Sequence, residues 1–222
     1  MISSMQKSLD TWQGTLYTTG GALDWGDKDK CYWYCIHYVW NTKGRWQYAS
    51  PNDHYQLTMN DNKGGRKPVY GCTPAEARRT LGVYLAPDGN MTLQLNKMLE
   101  QSTKFGTRLK NSRLSGCDTL LAMNSWILRT LAYPLATTTL TESECTRIMT
   151  PILYPVLGRA KIVRTIPRAV LYGPTQYHGF GLTNLCVYQG CTQIAQLLQF
   201  WDTATELGKV HKISLEYMWS WS

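Results

Sequence analysis

Several patterns that define common protein classes are missing from this sequence of 222 residues. It has no unbroken apolar run of membrane-spanning length, since its most apolar stretch, residues 119–141, contains Asn124, Arg129 and Pro134. It also has no G-x-S-x-G nucleophile elbow and no G-x-G-x-x-G dinucleotide fingerprint. These absences argue against a membrane-spanning protein, a serine hydrolase and a dehydrogenase.

Cysteine usage gives no pattern that is typical of a disulfide framework or of a zinc site. The cysteines have no repeated spacing, and they are Cys31, Cys35, Cys72, Cys117, Cys145, Cys186 and Cys191. Cys31, Cys35 and His37 alternate along one predicted strand, but the Cys-x2-Cys spacing of a zinc knuckle is missing, so we interpret them as core residues. The first residues, MISSMQKSLDTWQG, lack the apolar core of a signal peptide. These features predict a reduced intracellular protein, with nucleus or cytoplasm left open.

The positive charge is concentrated in the middle of the chain. Residues 1–89 carry 10 basic and 8 acidic side chains, residues 90–170 carry 11 and 4, and residues 171–222 carry 2 and 3. The middle segment therefore has a net charge of +7, close to the +8 of the whole chain. A concentrated positive field suits a polyanion such as nucleic acid or an acidic membrane surface. A basic surface without a partner is the alternative.

The first part of the chain predicts one helix followed by short strands. Residues 3–17 place Met5, Leu9, Trp12 and Leu16 three or four positions apart, which indicates an amphipathic helix. After TTGG the period changes to two in CYWYCIHYVW. RWQYAS, HYQLTM and TLGVYLA follow, separated by the turn formers NTKG, SPND and NDNKGG. We therefore expect a helix and a small antiparallel sheet up to residue 89.

Beyond residue 89 the pattern is helical. The candidate helices cover residues 91–111, 117–133, 142–157, 183–199 and 203–218, with GRAKIVRTIPR and YGPTQYHGFG between them. The expected fold class is α+β, in which a helix and a small sheet precede an all-α region. We divide the chain into domains at residues 1–89, 90–172 and 173–222.

The predicted helix over residues 91–111 has two chemically different faces. The apolar face carries Leu95, Met98, Leu99, Phe105 and Leu109. The opposite face carries Lys97, Gln101, Lys104, Arg108 and Asn111. One face should therefore pack on a core, and the other should be cationic and exposed. A polyanion on that face would relieve a small repulsion between the like charges, and a merely solvated face is the alternative.

The order of these features resembles the C-terminal part of a reverse transcriptase from a retrotransposon, of the non-LTR or a related type. The matching pieces are a helix, TGGAL, the segment LDWGDKDK at residues 23–30, a hairpin, the LGV of residues 81–83 and a basic helical region. YHGFGLTNL at residues 177–185 resembles a signature found downstream of the thumb. The resemblance implies the end of the palm at 1–89, the thumb at 90–172 and a post-thumb helical segment at 173–222.

The resemblance also implies roles for particular residues. Leu81, Gly82 and Val83 would belong to the primer grip, on a strand where Gly82 faces the opposite side from its neighbours and lets the sugar-phosphate approach closely. Lys30 would be an auxiliary catalytic residue beside the phosphates of the incoming nucleotide, and Lys28 is the alternative occupant of that position. The nucleic-acid-binding residues would be Lys97, Lys104, Arg108, Lys110, Arg113, Arg159, Lys161, Arg164 and Arg168.

The partners implied by the resemblance are an RNA template, a DNA primer and the upstream part of the polymerase, with no membrane. Polymerases of this class hold Mg²⁺ on carboxylates, one pair of them in a Y-x-D-D hairpin. This sequence contains no adjacent Asp pair. We therefore expect no cofactor in this chain, Mg²⁺ in the full-length polymerase, and no polymerase activity from this part alone.

Two other functions are compatible with the sequence. The chain could be a stand-alone basic nucleic-acid-binding domain, or a non-catalytic interaction module that uses its aromatic-rich strands as the interface. Salt-sensitive binding to nucleic acid would separate the first of these from the second.

Overall fold

The computed structural model describes residues 2–21, 31–49, 56–61, 65–201, 203 and 205–219. The chain divides into two compact units, Met1–Asn90 and Met91–Ser222. Within the described residues, the first unit contains one helix and short strands, and the second consists of helices and loops. The α+β class expected from the sequence is confirmed.

The first unit begins with a helix and continues as paired strands. Its helix, α1, covers Ile2–Thr18. Its strands are β1 (Tyr32–Trp33), β2 (His37–Trp40), β3 (Trp46–Ala49), β4 (Thr58–Asn60), β5 (Arg66–Pro68), β6 (Tyr70–Gly71), β7 (Arg78–Thr80) and β8 (Val83–Leu85). CYWYCIHYVW therefore contains two short strands and not the single strand that its alternation predicts.

The described strands form separate pairs, so the expectation of one antiparallel sheet is wrong. β2–β3, β4–β5 and β7–β8 are antiparallel two-stranded ladders, whereas β1 and β6 pair in parallel. Strands of two to four residues separated by turn formers offer too few backbone hydrogen bonds to build a wider sheet. The alternation correctly predicts extended backbone, and it carries no information on which strands pair.

Two glutamines fix α1 to the free edge of β4. Gln6 donates to the carbonyl oxygen of Thr58 at 2.8 Å and accepts from its N–H at 2.9 Å. Gln13 makes the same two bonds with Asn60, at 2.7 and 3.0 Å. Each side-chain amide thus replaces the peptide group of a missing neighbouring strand, which satisfies the edge.

The packing face of α1 differs from the face predicted from its apolar residues. Gln13 is 1% exposed, whereas Met5 is 42% and Trp12 is 54% exposed. Leu9 packs, together with Trp33 of β1, against the small core of Leu57, Met59 and Val69. The helix turns its glutamines inward, where they satisfy backbone groups of β4 that would otherwise lack partners at this packing surface.

An arginine connects two of the strand pairs in the first unit. The guanidinium of Arg78, in β7, lies 4.7 Å from the ring centre of Tyr70 and 5.8 Å from that of Tyr32. It also forms an ion pair with Glu76. Because Tyr32 and Tyr70 stand opposite each other in the β1–β6 ladder, this cation–π contact holds the β7–β8 hairpin against that ladder.

The second unit is built from helices of very different lengths. They are α2 (Thr92–Asn111), α3 (Gly116–Ala122), α4 (Leu128–Ala132), α5 (Glu142–Arg159), α6 (Arg168–Tyr172), α7 (Leu185–Trp201) and α8 (Glu206–Trp219). A π-helical turn, Met123–Ile127, joins α3 to α4, and a 3₁₀ turn, Tyr133–Ala136, follows α4. Residues 117–133 are therefore one helical run, as the sequence predicts, but with an inserted π turn.

The core of the second unit is contributed by α2, the helical run of residues 116–136, α5, α6 and the start of α7. Its most completely buried side chains are Met98, Met123, Ile127, Leu131, Leu135, Ile148, Ile152, Val156, Leu157, Leu171 and Leu185. No helix in the described part of the chain is both long enough and apolar enough to cross a membrane.

The backbones of α2 and α5 approach closely. A Cβ atom on Gly106 would lie 2.2 Å from the carbonyl oxygen of Pro151, and Ser102 donates a hydrogen bond to the carbonyl oxygen of Ile148. The Pro151 oxygen has no helical donor, because the residue four positions later is Pro155, which lacks an N–H. The two helices run in the same direction, and their C-terminal ends lie together.

Candidate nucleic-acid interface

The two faces of α2 are those that its periodicity predicts. Leu95, Met98, Phe105 and Leu109 are between 1% and 7% exposed and belong to the core. Lys97, Gln101, Lys104, Arg108 and Asn111 are all exposed. The close packing of α2 on α5 fixes which side of the helix faces outward, so the three cations share one exposed face.

A glutamate lies between the lysines of this face. Glu100 accepts from the Nζ of Lys104 at 2.7 Å and from the Nζ of Lys97 at 3.3 Å. These hydrogen bonds and the two positive charges lower the pKa of the Glu100 carboxyl, with Lys104 the largest cause. The face is therefore a mixed one with a net charge of +2, in which the lysines are held in place by a carboxylate that a phosphate could replace.

Arg159, the last residue of α5, uses its guanidinium to bind backbone carbonyl oxygens. Its guanidinium donates from Nη1 to the carbonyl oxygen of Leu114 at 3.0 Å, and from Nη2 to that of Lys110 at 2.9 Å and to that of Ser112. These carbonyls belong to the last turn of α2 and the loop that follows, where helical hydrogen bonds are missing. Arg159 therefore closes the end of α2, and we leave it out of the phosphate-contacting set.

The hydrogen bonds of Arg159 to these three carbonyl oxygens also hold the segment that carries other cations. Lys110 and Arg113 are exposed on the segment that it holds. Lys161 follows α5 with φ of +57°, and the bonds Lys161 N–H to Gly158 and Ile162 N–H to Leu157 form a Schellman motif there. Lys110, Arg113 and Lys161 thus gather at the shared C-terminal end of α2 and α5, where positive charge also complements two helix dipoles.

The remaining two predicted cations lie elsewhere on the second unit. The guanidinium of Arg164 stacks over Tyr154, 5.3 Å from the ring centre. Arg168 begins α6 and lines a cavity of about 210 Å³ together with Glu142, the first residue of α5, and Tyr172. Since α5 is about 27 Å long, Arg168 and Lys161 lie near opposite ends of it. The structure therefore does not bring the nine predicted cations into one stripe.

Leu81 and Gly82 form a turn and Val83 begins β8, so the expectation of one strand through residues 81–83 is wrong. Thr80 pairs with Val83, so Leu81 and Gly82 are the two central residues of the β7–β8 hairpin. Their φ values of +49° and +90° match a type I′ turn, the form that suits a two-residue hairpin. Leu81 is 88% exposed at the tip and Val83 is 6% exposed. They do not share a face as alternation predicts, because the chain reverses between them.

Of the two further segments that carry the resemblance, LDWGDKDK and YHGFGLTNL, only YHGFGLTNL lies within the described residues. Lys28, Lys30 and the rest of LDWGDKDK, residues 23–30, all lie outside the described residues. YHGFGLTNL folds back on α6, where Phe180 donates its N–H to the oxygen of Val170 and Leu182 donates to that of Leu171. Asn184 then caps α7, because its side-chain oxygen accepts from the N–H of Cys186 at 2.9 Å.

The sequence did not predict the hydrogen bonds of Arg159 to the end of α2, or those of Gln6 and Gln13 to β4. A single arginine in a basic tract gives no signal that its donors end on three carbonyls. The spacing of seven between Gln6 and Gln13 was visible, and it does place both on one helix face, but only a partner strand gives that face a use.

Within the described ranges, no three His, Cys, Asp or Glu side chains come together as a metal site would require. Comparison of this chain with protein-family models, with curated proteins and with solved structures finds no match.

Proposed function

We propose that this chain is the C-terminal part of a retrotransposon reverse transcriptase and that it grips an RNA/DNA duplex. The observation that carries the proposal is the exposed face of α2, on which Lys97, Lys104 and Arg108 lie opposite a buried apolar face. Lys110, Arg113 and Lys161 extend the positive surface at the end of the same helix. Cations on rigid helices contact phosphates, fix register and read no bases.

The hairpin tip at Leu81 and Gly82 supports the primer-grip part of the proposal. A two-residue turn leaves the backbone at the tip accessible, and Leu81 presents an apolar side chain that is 88% exposed. A residue held at positive φ with an exposed apolar side chain is a feature that structures often reserve for ligand contact. In this proposal the tip packs on the sugars at the primer end.

The proposed role is binding without independent polymerisation. The sequence has no adjacent Asp pair, so the carboxylates that hold Mg²⁺ would belong to the upstream part of the polymerase. Its partners are then an RNA template, a DNA primer and that upstream part, and its setting is intracellular. Lys30, Arg164 and Arg168 remain candidate contacts.

A binding titration at two salt concentrations tests the proposal. The chain is titrated into a fluorescein-labelled RNA/DNA hybrid, and anisotropy gives Kd at about 50 and about 200 mM salt. Three to five phosphate contacts predict that Kd rises roughly 40- to 500-fold between these conditions. An interaction module predicts no binding, and such a result would reject the proposal.

A matched pair of lysine variants locates the binding surface. Lys97 on α2 and Lys209 on α8 each pair with a glutamate three positions away, at 3.3 and 2.7 Å. Lys97→Ala should weaken hybrid binding several-fold at low salt, whereas Lys209→Ala should leave it unchanged. Equal effects of the two substitutions would indicate general attraction by net charge and not a specific face.

A further inference from the structure

A second groove in the helical unit has a lining that differs from the cationic face of α2. Its volume is about 410 Å³, which is within the range of small-ligand sites. It lies between the helical run of residues 116–136 and the start of α7. Its lining residues are Asn124, Leu128, Arg129, Ala132, Tyr133, Thr183 and Tyr188.

The groove has an apolar base and an aromatic rim. Leu128 and Ala132 are 2% and 7% exposed, so they can only form its base. Tyr133 and Tyr188 are 63% and 40% exposed, so their rings stand at its opening. Arg129 is exposed one helical turn before Tyr133, on the same side of the helix.

The π turn at Met123–Ile127 is what sets this arrangement. The N–H of Leu128 bonds to the carbonyl oxygen of Met123, five positions back, so one extra residue is inserted into the helix. One residue rotates all that follows by about 100°. The rotation turns Leu128 and Ala132 inward and Arg129 and Tyr133 outward, and π turns of this kind are frequent at functional sites.

The other wall is held rigidly. Next to Tyr188, the buried Gln189 accepts from the N–H of Leu140 at 3.1 Å and donates to its carbonyl oxygen at 2.9 Å. Leu185, one turn earlier in α7, is 1% exposed. These contacts fix the backbone of α7 on both sides of Tyr188, so the backbone at this wall needs no rearrangement when a ligand binds.

The chemistry of the lining selects a ligand that has both a planar ring and a separate negatively charged group. Two phenol rings offer stacking surfaces, the Arg129 guanidinium offers a phosphate contact, and the Asn124 amide can both donate to and accept from a base edge. No carboxylate is present among the seven lining residues to repel a phosphate. This combination of stacking rings and one cation is how proteins hold single strands.

We propose that the groove binds an unpaired nucleotide of single-stranded nucleic acid, with the base against Tyr133 and Tyr188 and its phosphate on Arg129. The inference rests on the proposed function, in which the partner is nucleic acid, and adds a site for the unpaired strand that extends beyond a gripped duplex.

The test uses the full chain and two probes. One is a short fluorescein-labelled oligodeoxythymidine, and the other is the blunt RNA/DNA hybrid. Tyr133→Ala and Tyr188→Ala should each weaken binding of the single strand by roughly 5- to 150-fold, the measured range for loss of one base–aromatic stack. Tyr133→Trp should restore binding, and neither alanine variant should change Kd for the hybrid.

Tyr177→Ala is the matched control, since Tyr177 is 76% exposed and does not line the groove. Unchanged single-strand binding in both Tyr133→Ala and Tyr188→Ala, or no single-strand binding by the unmodified chain, would overturn the inference. In either case the salt-sensitive binding of the hybrid would be retained if the proposed function holds. If the unmodified chain does not bind the hybrid at all, the proposed function itself would be rejected.

Discussion

Three non-glycine residues of the described chain, Leu81, Lys161 and His178, have φ values between +49° and +60°. L-amino acids avoid this region, because Cβ crowds the backbone there, at a cost of roughly 1–2 kcal/mol per residue. Each of these residues lies where a local structure ends. Leu81 follows strand β7, Lys161 follows helix α5, and His178 follows a 3₁₀ turn. The proposed function uses the side chains of Leu81 and Lys161, so at these two positions the backbone cost comes with a contact to nucleic acid.

Replacing Leu81 should separate stability from binding. Asn tolerates the left-handed region, so Leu81→Asn should raise the free energy of unfolding of the first unit by about 1 kcal/mol. The same change should weaken binding of a hybrid with a recessed primer end, because the apolar tip is lost. Urea unfolding and anisotropy measure the two effects.

Leu121→Asn is the control for this change, since Leu121 is 66% exposed within α3 and has ordinary helical backbone. There the same substitution should lower stability by about half a kcal/mol, through helix propensity alone. A destabilised Leu81→Asn variant would contradict the strain assigned to the turn.

Cys145 should make stability depend on alkaline pH. Burial raises the pKa of its thiol from 9.0 to about 11, with the neighbouring Cys186 and Glu144 as smaller causes. Folding therefore favours the protonated thiol, and the stabilisation present below pH 9 is lost as pH rises towards 11. Urea unfolding should show a loss on the order of 2 kcal/mol between these values that is absent in Cys145→Ala.

At the scale of elements, the α2–α5 crossing supports the whole candidate surface. The crossing determines which face of α2 is exposed, and it places the C-terminal ends of both helices together. Pro155 leaves the carbonyl oxygen of Pro151 without a helical donor, and this is the oxygen that Gly106 passes.

A pair of glycine substitutions tests the crossing. Gly106→Ala would place Cβ 2.2 Å from the Pro151 oxygen, so the helices must separate. We expect a loss of at least 2 kcal/mol in the unfolding free energy of the second unit. Gly158→Ala, in α5 with nothing within 4 Å of the new Cβ, should stabilise by about 0.5–1 kcal/mol. Equal effects would contradict the close approach.

Sequence periodicity correctly predicts the buried face of a helix that packs on one large apolar core. It fails where contacts with a particular distant segment determine which residues are buried. The buried and exposed faces of α2 follow from its sequence because one side packs on a large core. Met5 and Trp12 were expected inside and lie outside, since the unpaired edge of β4 favours Gln6 and Gln13. The turn at Leu81 was missed because type I′ turns usually contain Asn or Gly first. Arg159 and Tyr188 depend on contacts across 45 or more positions, which no local pattern contains.

At the scale of the whole molecule, the charge lies where the proposed contacts lie. Residues 90–170 have a net charge of +7, and they contain α2, α5 and the loops at their ends. The positive field of such a segment draws a polyanion towards it. Glu100 opposes this field at its centre.

Removing Glu100 should therefore tighten binding. Glu100→Gln releases Lys97 and Lys104 from their shared carboxylate, so we expect the Kd for the hybrid to fall about 3- to 10-fold at low salt. The lowered pKa of Glu100 means that its carboxylate stays charged well into acidic conditions, so neutral and mildly acidic buffers should give the same ratio. Glu206→Gln on α8 should have no effect, and weaker binding by Glu100→Gln would count against the face.

The central claim is that the outer face of α2 carries a duplex by its phosphates. The most direct measurement is the slope of log Kd against log salt for the hybrid, in the unmodified chain and in the variant with Lys97, Lys104 and Arg108 all replaced by Ala. We predict that the variant lowers the slope by about 2–3, close to one per lost phosphate contact. An unchanged slope in a variant that remains folded would contradict the account.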